Sequence, residues 1–192
     1  NQSFFAPSIR FQNSCVGEAT QFQLGNSTTT SAVWNFGDGN TSNSLSPTHT
    51  YTAPGTYTVS VTATSSSGTG VTTRDIIISA VPTATQPNNI FICDDNNDGF
   101  YNFDLTSRKL TILNGQSESQ FNVRYFANPT NYSNNVVISN PASFQNTTVY
   151  QSHTIIAEVY NIANPNCKTT TTFDIQVFES PRPSLSVSPI QL

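Results

Sequence analysis

Short stretches in which apolar and polar residues alternate dominate the chain, and helical periodicity is almost absent. The clearest stretch covers residues 56–64, where Tyr57, Val59, Val61 and Ala63 alternate with hydroxyl-bearing side chains. Because successive side chains of a strand point to opposite faces, this pattern predicts a half-buried strand of an antiparallel sheet. The sequence therefore predicts an all-β protein.

Similar runs bounded by Gly, Pro, Asn and Ser predict the remaining strands. In the first half of the chain they cover residues 21–24, 32–36 and 72–79, and in the second half 100–105, 121–126, 147–150, 154–161 and 169–178. Only residues 106–114 favour a short helix, which Gly115 would end.

Residues 80–89 contain two prolines and no alternation, which predicts a linker between modules at 1–79 and 90–178. Residues 72–78 and 171–177 are similar at an offset of 99 positions, and Ile90-Phe91-Ile92 is similar to Ile190-Gln191-Leu192. This repetition predicts an array of about 100-residue units, with residues 179–192 forming a second linker and the start of a further repeat.

The composition of the chain excludes several classes of function and site. Only 9% of the 192 residues are charged, and the seven Lys and Arg residues are scattered, so nucleic acid is not expected as a partner. No apolar run approaches the ~18 residues that a membrane span needs, so direct membrane insertion is not expected. The three cysteines lack the CxxC spacing of zinc or redox sites, and in an exported protein they would form one disulfide and leave one thiol.

The first module resembles a PKD domain over about residues 8–79. The resemblance rests on Trp-Asn-Phe-Gly-Asp-Gly-Asn at 34–40, Pro-Thr-His-Thr-Tyr at 47–51 and Pro-Gly-Thr-Tyr-Thr-Val at 54–59. It implies an immunoglobulin-like β-sandwich that serves as a spacer or interaction module. Its structural signature residues are Trp34, Phe36, Gly37, Asp38, Gly39 and Tyr57.

Elementary physics agrees with this motif. Trp34 supplies the large ring around which such sandwiches pack. Gly37, Asp38 and Gly39 suit a tight turn, so we interpret Asp38 as a turn residue and not as a catalytic acid.

The second module resembles a repeat of exported Bacteroidetes proteins, including gliding-motility adhesins and other type IX secretion cargo, over about residues 88–178. The matching residues include Cys-Asp-Asp-Asn-Asn-Asp-Gly-Phe at 93–100 and Thr-Phe-Asp-Ile-Gln-Val at 172–177. The resemblance implies a disulfide between Cys93 and Cys167, which leaves Cys15 as a buried thiol or paired outside this chain. It also implies a location outside the cell or on the surface of a Gram-negative bacterium. The fold expected for the whole chain is two tandem immunoglobulin-like β-sandwich modules.

The acidic turn allows two interpretations. Asp94, Asn96 and Asp98 followed by Gly99 form the first half of a calcium loop, and Asp104 could complete a Ca²⁺ site. The second half departs from an EF-type loop, because its twelfth position is a leucine and Asp104 lies one residue early. The other interpretation is a polar turn that its own Asn and Asp side chains order.

Catalysis is not expected. The two histidines, His49 and His153, have no neighbouring carboxylate in sequence, and the acidic cluster lies within one turn, so it cannot straddle a glycosidic bond. The sequence predicts a non-catalytic spacer of a secreted or cell-surface adhesin-like protein. Its partners would be other modules of the same long chain and either surface glycans or another surface protein. The alternatives are a carbohydrate-binding accessory region of an exported polysaccharide-degrading enzyme, which would show an exposed row of aromatic rings, and a partner-binding module with a contiguous apolar patch.

Overall fold

The computed structural model describes residues 5–25 and 28–181. The described residues form thirteen β-strands and four short helical segments, so the prediction of an all-β protein with two tandem immunoglobulin-like modules is confirmed. The chain divides into two compact units. Unit 1 comprises Asn1–Pro82 and Tyr160–Lys168, and unit 2 comprises Thr83–Val159 and Thr169–Leu192.

Unit 1 is a sandwich of two antiparallel sheets. The first sheet has the order β1-β2-β5, with β1 at Ile9–Gln12, β2 at Ala19–Leu24 and β5 at Thr48–Thr50. The second has the order β4-β3-β6-β7, with β3 at Thr29–Asn35, β4 at Thr41–Ser42, β6 at Gly55–Ser65 and β7 at Gly68–Ile78.

The alternating pattern of β6 explains how this sandwich is filled. Val59, Val61 and Ala63 are fully buried, while Ser60 and Thr62 between them lie on the opposite face. They join the fully buried indole of Trp34, whose ring centre lies 5.7 Å from that of Phe22. The same core contains Ile9, Phe36, Tyr51, Ile76 and Ile78. The strand predicted at 56–64 is confirmed as β6.

Unit 2 contains a four-stranded sheet of order β10-β12-β13-β8 and a two-stranded sheet β11-β9. The strands are β8 at Ile90–Asp94, β9 at Asn102–Phe103, β10 at Phe121–Phe126, β11 at Phe144–Gln145, β12 at His153–Asn161 and β13 at Lys168–Glu179. Two helices, α1 at Lys109–Leu113 and α2 at Pro129–Ser133, accompany 3₁₀ turns at Leu105–Arg108 and Pro141–Ser143. Strand β8 lies at the edge of its sheet and runs parallel to β13.

The predicted helical segment is present as the first 3₁₀ turn followed by α1. It ends at Asn114 and Gly115, which both adopt positive φ angles of 46° and 82°. The prediction of a strand at 147–150 is wrong, because these residues form a bend and turn. The side chain of Asn146 donates to the carbonyl of Thr148, so this carbonyl is hydrogen-bonded within the turn and not to a neighbouring strand.

The domain organisation differs from the predicted linear division in one respect. Residues 80–89 contain no helix or strand, but the tip of the β12–β13 hairpin, Tyr160–Lys168, belongs to unit 1. The further repeat predicted within 179–192 lies, beyond Pro181, outside the described residues.

The final strands of the two units repeat each other in structure as well as in sequence. Ile76 and Ile78 are buried on β7, and Ile175 and Val177 are buried at the same offset on β13. Each unit therefore closes its core with the same side-chain alternation on its last strand.

Candidate functional site

The disulfide is the covalent feature that distinguishes this chain. It joins Cys15 to Cys167, two residues 152 positions apart, with their Cα atoms 5.4 Å from each other. The predicted bridge between Cys93 and Cys167 is wrong. Cys167 lies in the hairpin tip that belongs to unit 1, whereas Cys93 lies on β8 in unit 2 as an exposed free thiol.

Polar contacts hold the hairpin tip at the disulfide. The side-chain amide of Asn164 donates to Ser14 Oγ at 3.0 Å, and that of Asn161 donates to the carbonyl of Ala80 at 3.0 Å. Both sulfur-bearing residues are buried, Cys167 completely. The sequence analysis did not predict this cluster. The sequence feature that could have indicated it is the Asn-Pro-Asn-Cys turn at residues 164–167, which precedes β13.

The acidic turn is closed by its own hydrogen bonds. One carboxylate oxygen of Asp94 accepts from the backbone amides of Asn96 and Asn97, and the other accepts from Gly99 N at 2.6 Å. The hydroxyl of Tyr150 donates to the second oxygen at 3.1 Å. Burial by itself raises the pKa of Asp94, but these four donors stabilise the carboxylate and bring its pKa below the usual value.

The four predicted calcium ligands do not form one site. Asp94, Asn96 and Asp98 share the turn, where the amide of Asn96 donates to Asp98 Oδ2 at 2.8 Å. Asp104 instead caps the following 3₁₀ turn and accepts from Thr106 N at 2.9 Å. Within the described residues, no three His, Cys, Asp or Glu side chains are grouped closely enough to hold a metal ion. The geometry matches the polar-turn interpretation, and calcium binding remains untested.

A buried amide, which sequence reasoning also missed, anchors the acidic turn from outside. Asn146 is 4% exposed, and its Oδ1 accepts from Tyr101 N at 2.8 Å. Its Nδ2 donates to the carbonyls of Gly99 and Thr148, both at 2.8 Å. All three contacts are hydrogen bonds to backbone groups that have no partner on a neighbouring strand. The side chain of Asn146 therefore supplies the hydrogen bonds that a paired strand would otherwise provide.

The signature residues of unit 1 have structural roles. Trp34 is fully buried and its Nε1 donates to the carbonyl of Ser44 at 2.9 Å. Gly37 and Gly39 have positive φ angles of 83° and 93°, which suits glycine. The hydroxyl of Tyr57 donates to the carbonyl of Ala53 at 2.9 Å.

Asp38 and His49 are within hydrogen-bonding distance, with Oδ2 and Nε2 2.7 Å apart. The His49 ring stacks on Phe36 at 4.3 Å between centroids, and it meets the edge of Tyr51 at 4.6 Å. Burial alone raises the pKa of Asp38, but hydrogen bonds from His49 and Asn40 outweigh it and lower the pKa. This pair connects the tight turn to β5, because His49 is fixed between two core rings.

His153 begins β12, and its Nε2 lies within hydrogen-bonding distance of the carbonyl of Ala127. A single backbone carbonyl neither activates a nucleophile nor orients a base, so this contact is structural.

The aromatic rings of the second module differ in exposure. Tyr125 and Phe126 are buried, and Tyr132, Phe144 and Tyr150 are half-buried. Four rings are between 42% and 53% exposed, namely Phe91, Phe100, Tyr101 and Phe178. A sugar that stacks on several rings needs their faces open on one surface. The rings of Phe91 and Phe178 instead meet edge-to-face, with centroids 5.6 Å apart, so these two do not present coplanar faces.

A shallow cleft of about 350 Å³ lies on unit 1. Its lining residues are Arg10, Phe11, Gln12, Gln21, Gln23 and Arg74. The guanidinium of Arg74 lies 4.8 Å from the Phe11 ring centre and also donates to the carbonyl of Ile9 at 2.7 Å. One face of the cleft's aromatic ring is therefore already covered by a cation, which leaves the glutamine amides and Arg10 as the groups a ligand would meet.

The fold and these contacts define β-sandwich modules whose turns have structural roles. Residues 6–79 match the family model described as the PKD domain. Residues 89–182 match the model described as the Flavobacterium inter-domain disulphide bond domain. These domain types are generally non-catalytic.

Two solved structures are similar to part of the chain. The chain is 31% identical to the PKD1 domain of Vibrio anguillarum Epp, covering 40% of this chain and 96% of that one with a TM-score of 0.33. It is 30% identical to the PKD1 domain from Vibrio cholerae metalloprotease PrtV, covering 38% and 98% with a TM-score of 0.31. No curated protein sequence matches the chain at a significant level. None of the helices in the described part of the chain has the length and apolar character needed to cross a bilayer.

Proposed function

We propose that this chain is a non-catalytic spacer segment of a secreted or cell-surface, adhesin-like protein of a Gram-negative bacterium. The observation that carries the proposal is the disulfide between Cys15 and Cys167. It connects the segment that matches the PKD family to the segment that matches the inter-domain disulphide family. Disulfides persist in oxidising compartments, and a spacer outside the cell benefits from a covalent connection between its modules.

The outer surface of unit 1 supports this role. Thr58 and Thr62 point outward from β6 and are exposed, and Thr58 Oγ1 donates to Asp75 Oδ1 on β7 at 2.6 Å. A surface of small hydroxyl groups with few charges gives no strong electrostatic attraction to a partner. We propose that presentation of other modules of the same long protein is the main role, with adhesion to glycans or another surface protein a weak addition.

We further propose that the parent protein is exported by the type IX route used by gliding-motility proteins. Support comes from the sequence resemblance of the second module and from the Flavobacterium origin in its family description.

The first test measures location and thiol state together. Intact cells of the source organism are treated with an added protease, and thiols are trapped by acid quenching before peptide mass mapping. The proposal expects cleavage of the protein on intact cells and recovery of Cys15 and Cys167 as one disulfide-linked peptide pair. A protein that stays protected until the cells are lysed, or that is recovered with both thiols reduced, would contradict it.

The second test separates the spacer from the carbohydrate-binding alternative. The purified chain is applied to a glycan array, and any hit is titrated by calorimetry. The spacer role expects no saturable binding. Saturable binding that Gln21→Ala in the unit 1 cleft abolishes, and that the outward control Thr62→Ala retains, would establish the accessory-module alternative instead.

A further inference from the structure

The basic side chains of the first segment lie together at one place on unit 1. Residues 1–82 contain two Lys or Arg residues, Arg10 and Arg74, and both line the unit 1 cleft of about 350 Å³. None of the six described residues that line this cleft is acidic. In a chain with a formal net charge of −4 and only 9% charged residues, this arrangement concentrates positive charge in a single concave site.

The guanidinium of Arg74 is positioned by two contacts within unit 1. Its Nη1 donates to the carbonyl of Ile9 at 2.7 Å, and its central carbon lies 4.8 Å from the centre of the Phe11 ring. A guanidinium carries five N–H donors, so this one hydrogen bond leaves other donors for a ligand. Because the side chain is already restricted, a ligand would lose less entropy by ordering it.

Arg10 reaches the same cleft from a different sheet. It lies on β1, whereas Arg74 lies on β7, and it is exposed. Its guanidinium makes no hydrogen bond or ion pair with another described residue. A carboxylate accepts two parallel N–H bonds from a guanidinium, so a carboxylate that enters the cleft meets matching donors from two strands.

Three glutamine side chains line the cleft beside the arginines. Gln23 is paired with Arg10 and Gln21 is paired with Gln12 across the β1–β2 ladder. Directly opposite residues of neighbouring strands share a face of the sheet, so these four side chains form one exposed polar row. Each glutamine amide supplies both donors and acceptors, so the row can bind the polar groups that flank a carboxylate.

The open edge of β1 adds backbone groups to the site. Strand β1 is the first strand of the sheet β1-β2-β5, so β2 pairs with only one of its sides. The carbonyl of Ser8 accepts from the amide of Gly25, next to β2, whereas the carbonyl of Ile9 accepts from Arg74 of the other sheet. Because backbone groups alternate in direction along a strand, the N–H and C=O of Phe11 also point to the open side. No described residue bonds them there, so an extended chain could pair with them.

We propose that the unit 1 cleft binds an extended acidic segment of a partner protein. Its carboxylates contact Arg10 and Arg74, and its main chain pairs with β1 at Phe11. The occupant is a peptide and not a sugar, because the Phe11 ring is half-buried and already has a guanidinium over its face, which leaves little surface for a sugar to stack on. This inference rests on the proposed function, whose weak contact with another surface protein it specifies.

The experiment measures binding of synthetic peptides to the full chain by calorimetry. The probes are capped octapeptides in which Asp alternates with Thr, Val or Gln, so that all carboxylates of an extended peptide lie on one face. Each probe has a matched peptide with Asn in place of Asp. We expect saturable binding of Asp peptides that is at least about tenfold tighter than that of their Asn counterparts and that weakens at high salt.

Variants of the chain and of the peptide locate the site. Arg10→Gln and Arg74→Gln should each weaken binding at least about fivefold, whereas Lys109→Gln, which removes one positive charge from unit 2, should change it less than about twofold. Arg10 has no partner among the described residues, so its variant should keep the natural fold, which Trp34 fluorescence verifies. Methylation of alternate peptide nitrogens should weaken binding in one register and not in the other, because only every second N–H faces β1.

The absence of saturable binding by any Asp peptide, equal binding of the Asn peptides, or an equal loss in Lys109→Gln would overturn the proposal. Equal effects of methylation in both registers would refute the pairing with β1. An oligogalacturonate that binds more tightly than the peptides, and that Arg10→Gln weakens, would assign the cleft to an acidic sugar and favour the carbohydrate-binding alternative. The other failures leave the spacer function in place, because its first test reads the location of the protein and the Cys15–Cys167 pair.

Discussion

Loss of the Cys15–Cys167 bond should destabilise the chain strongly while leaving the folded structure intact. The cross-link closes a segment with ends 152 residues apart. In the chain-entropy model a closed loop of this length lowers the entropy of the unfolded chain by an amount equivalent to about 5 kcal/mol at 25 °C. Residual structure in the unfolded chain makes this value an upper estimate.

The variants are Cys15→Ala, Cys167→Ala and the double substitution, with Cys93→Ala as the matched control. Each of the first three removes the same bond, so their free energies of unfolding should agree to within about 1 kcal/mol, because the second substitution has no bond left to break. Cys93→Ala should change the free energy of unfolding by less than about 0.5 kcal/mol, since its thiol is exposed and unbonded.

Guanidinium unfolding followed by tryptophan fluorescence provides the assay. Trp34 is the single tryptophan of the chain and is fully buried in unit 1, so its emission reports the unfolding of that unit. The natural chain with and without a reductant gives the same comparison with no substitution. Equal midpoints for the oxidised and reduced chains, or a loss in Cys93→Ala as large as in Cys15→Ala, would refute the reasoning.

Three further substitutions test individual contacts. Asn146→Ala leaves buried backbone groups unpaired, so it should lower the free energy of unfolding of unit 2 by roughly 2–4 kcal/mol in a urea melt followed by circular dichroism. A loss within the range of an ordinary surface substitution would contradict this. Gly37→Ala should be more destabilising than Gly39→Ala. The positive φ angle costs each variant roughly 1–2 kcal/mol. Only at Gly37 would the added Cβ also lie 2.7 Å from the carbonyl oxygen of Thr58. Equal melting temperatures for the two variants would count against the steric argument. Asp38→Asn should be less stable than the natural chain at pH 6, and the difference should close as the pH falls below about 4, because a carboxylate whose pKa is lowered by folding stabilises only while it is ionised. A pH-independent difference would rule this out.

The sequence predicted the elements whose patterns are local. Residues 56–64 alternate strictly, and they form β6 with the expected face buried. The tight turn at Gly37 and Gly39 could also be predicted from the sequence, because few residue types tolerate its positive φ angles. By contrast, the β-branched and aromatic residues at 147–150 are typical of a strand, but this segment bends, because the side-chain amide of the neighbouring Asn146 donates to the carbonyl of Thr148.

The pairing of the cysteines could not be predicted from the sequence. Three cysteines allow three pairs, and resemblance to one module favours a bond inside that module. The actual pair depends on where the hairpin tip of residues 160–168 lies, and that tip is held by contacts such as Asn164 to Ser14, which are 150 positions apart in sequence. Such contacts carry no local pattern, so only the folded chain reveals them.

The same bond determines how the segment responds to tension. A pull on the two ends of the chain travels from residue 15 through the sulfur atoms to residue 167, so the strands between them carry no load while the bond is intact. Breaking it would release the whole stretch between two cysteines that lie 152 positions apart. At about 3.4 Å per extended residue, that stretch supplies roughly 500 Å of slack. The stretch between the two cysteines is thus nearly inextensible while the bond is intact, whereas in the reduced chain it would unfold and lengthen under the same tension.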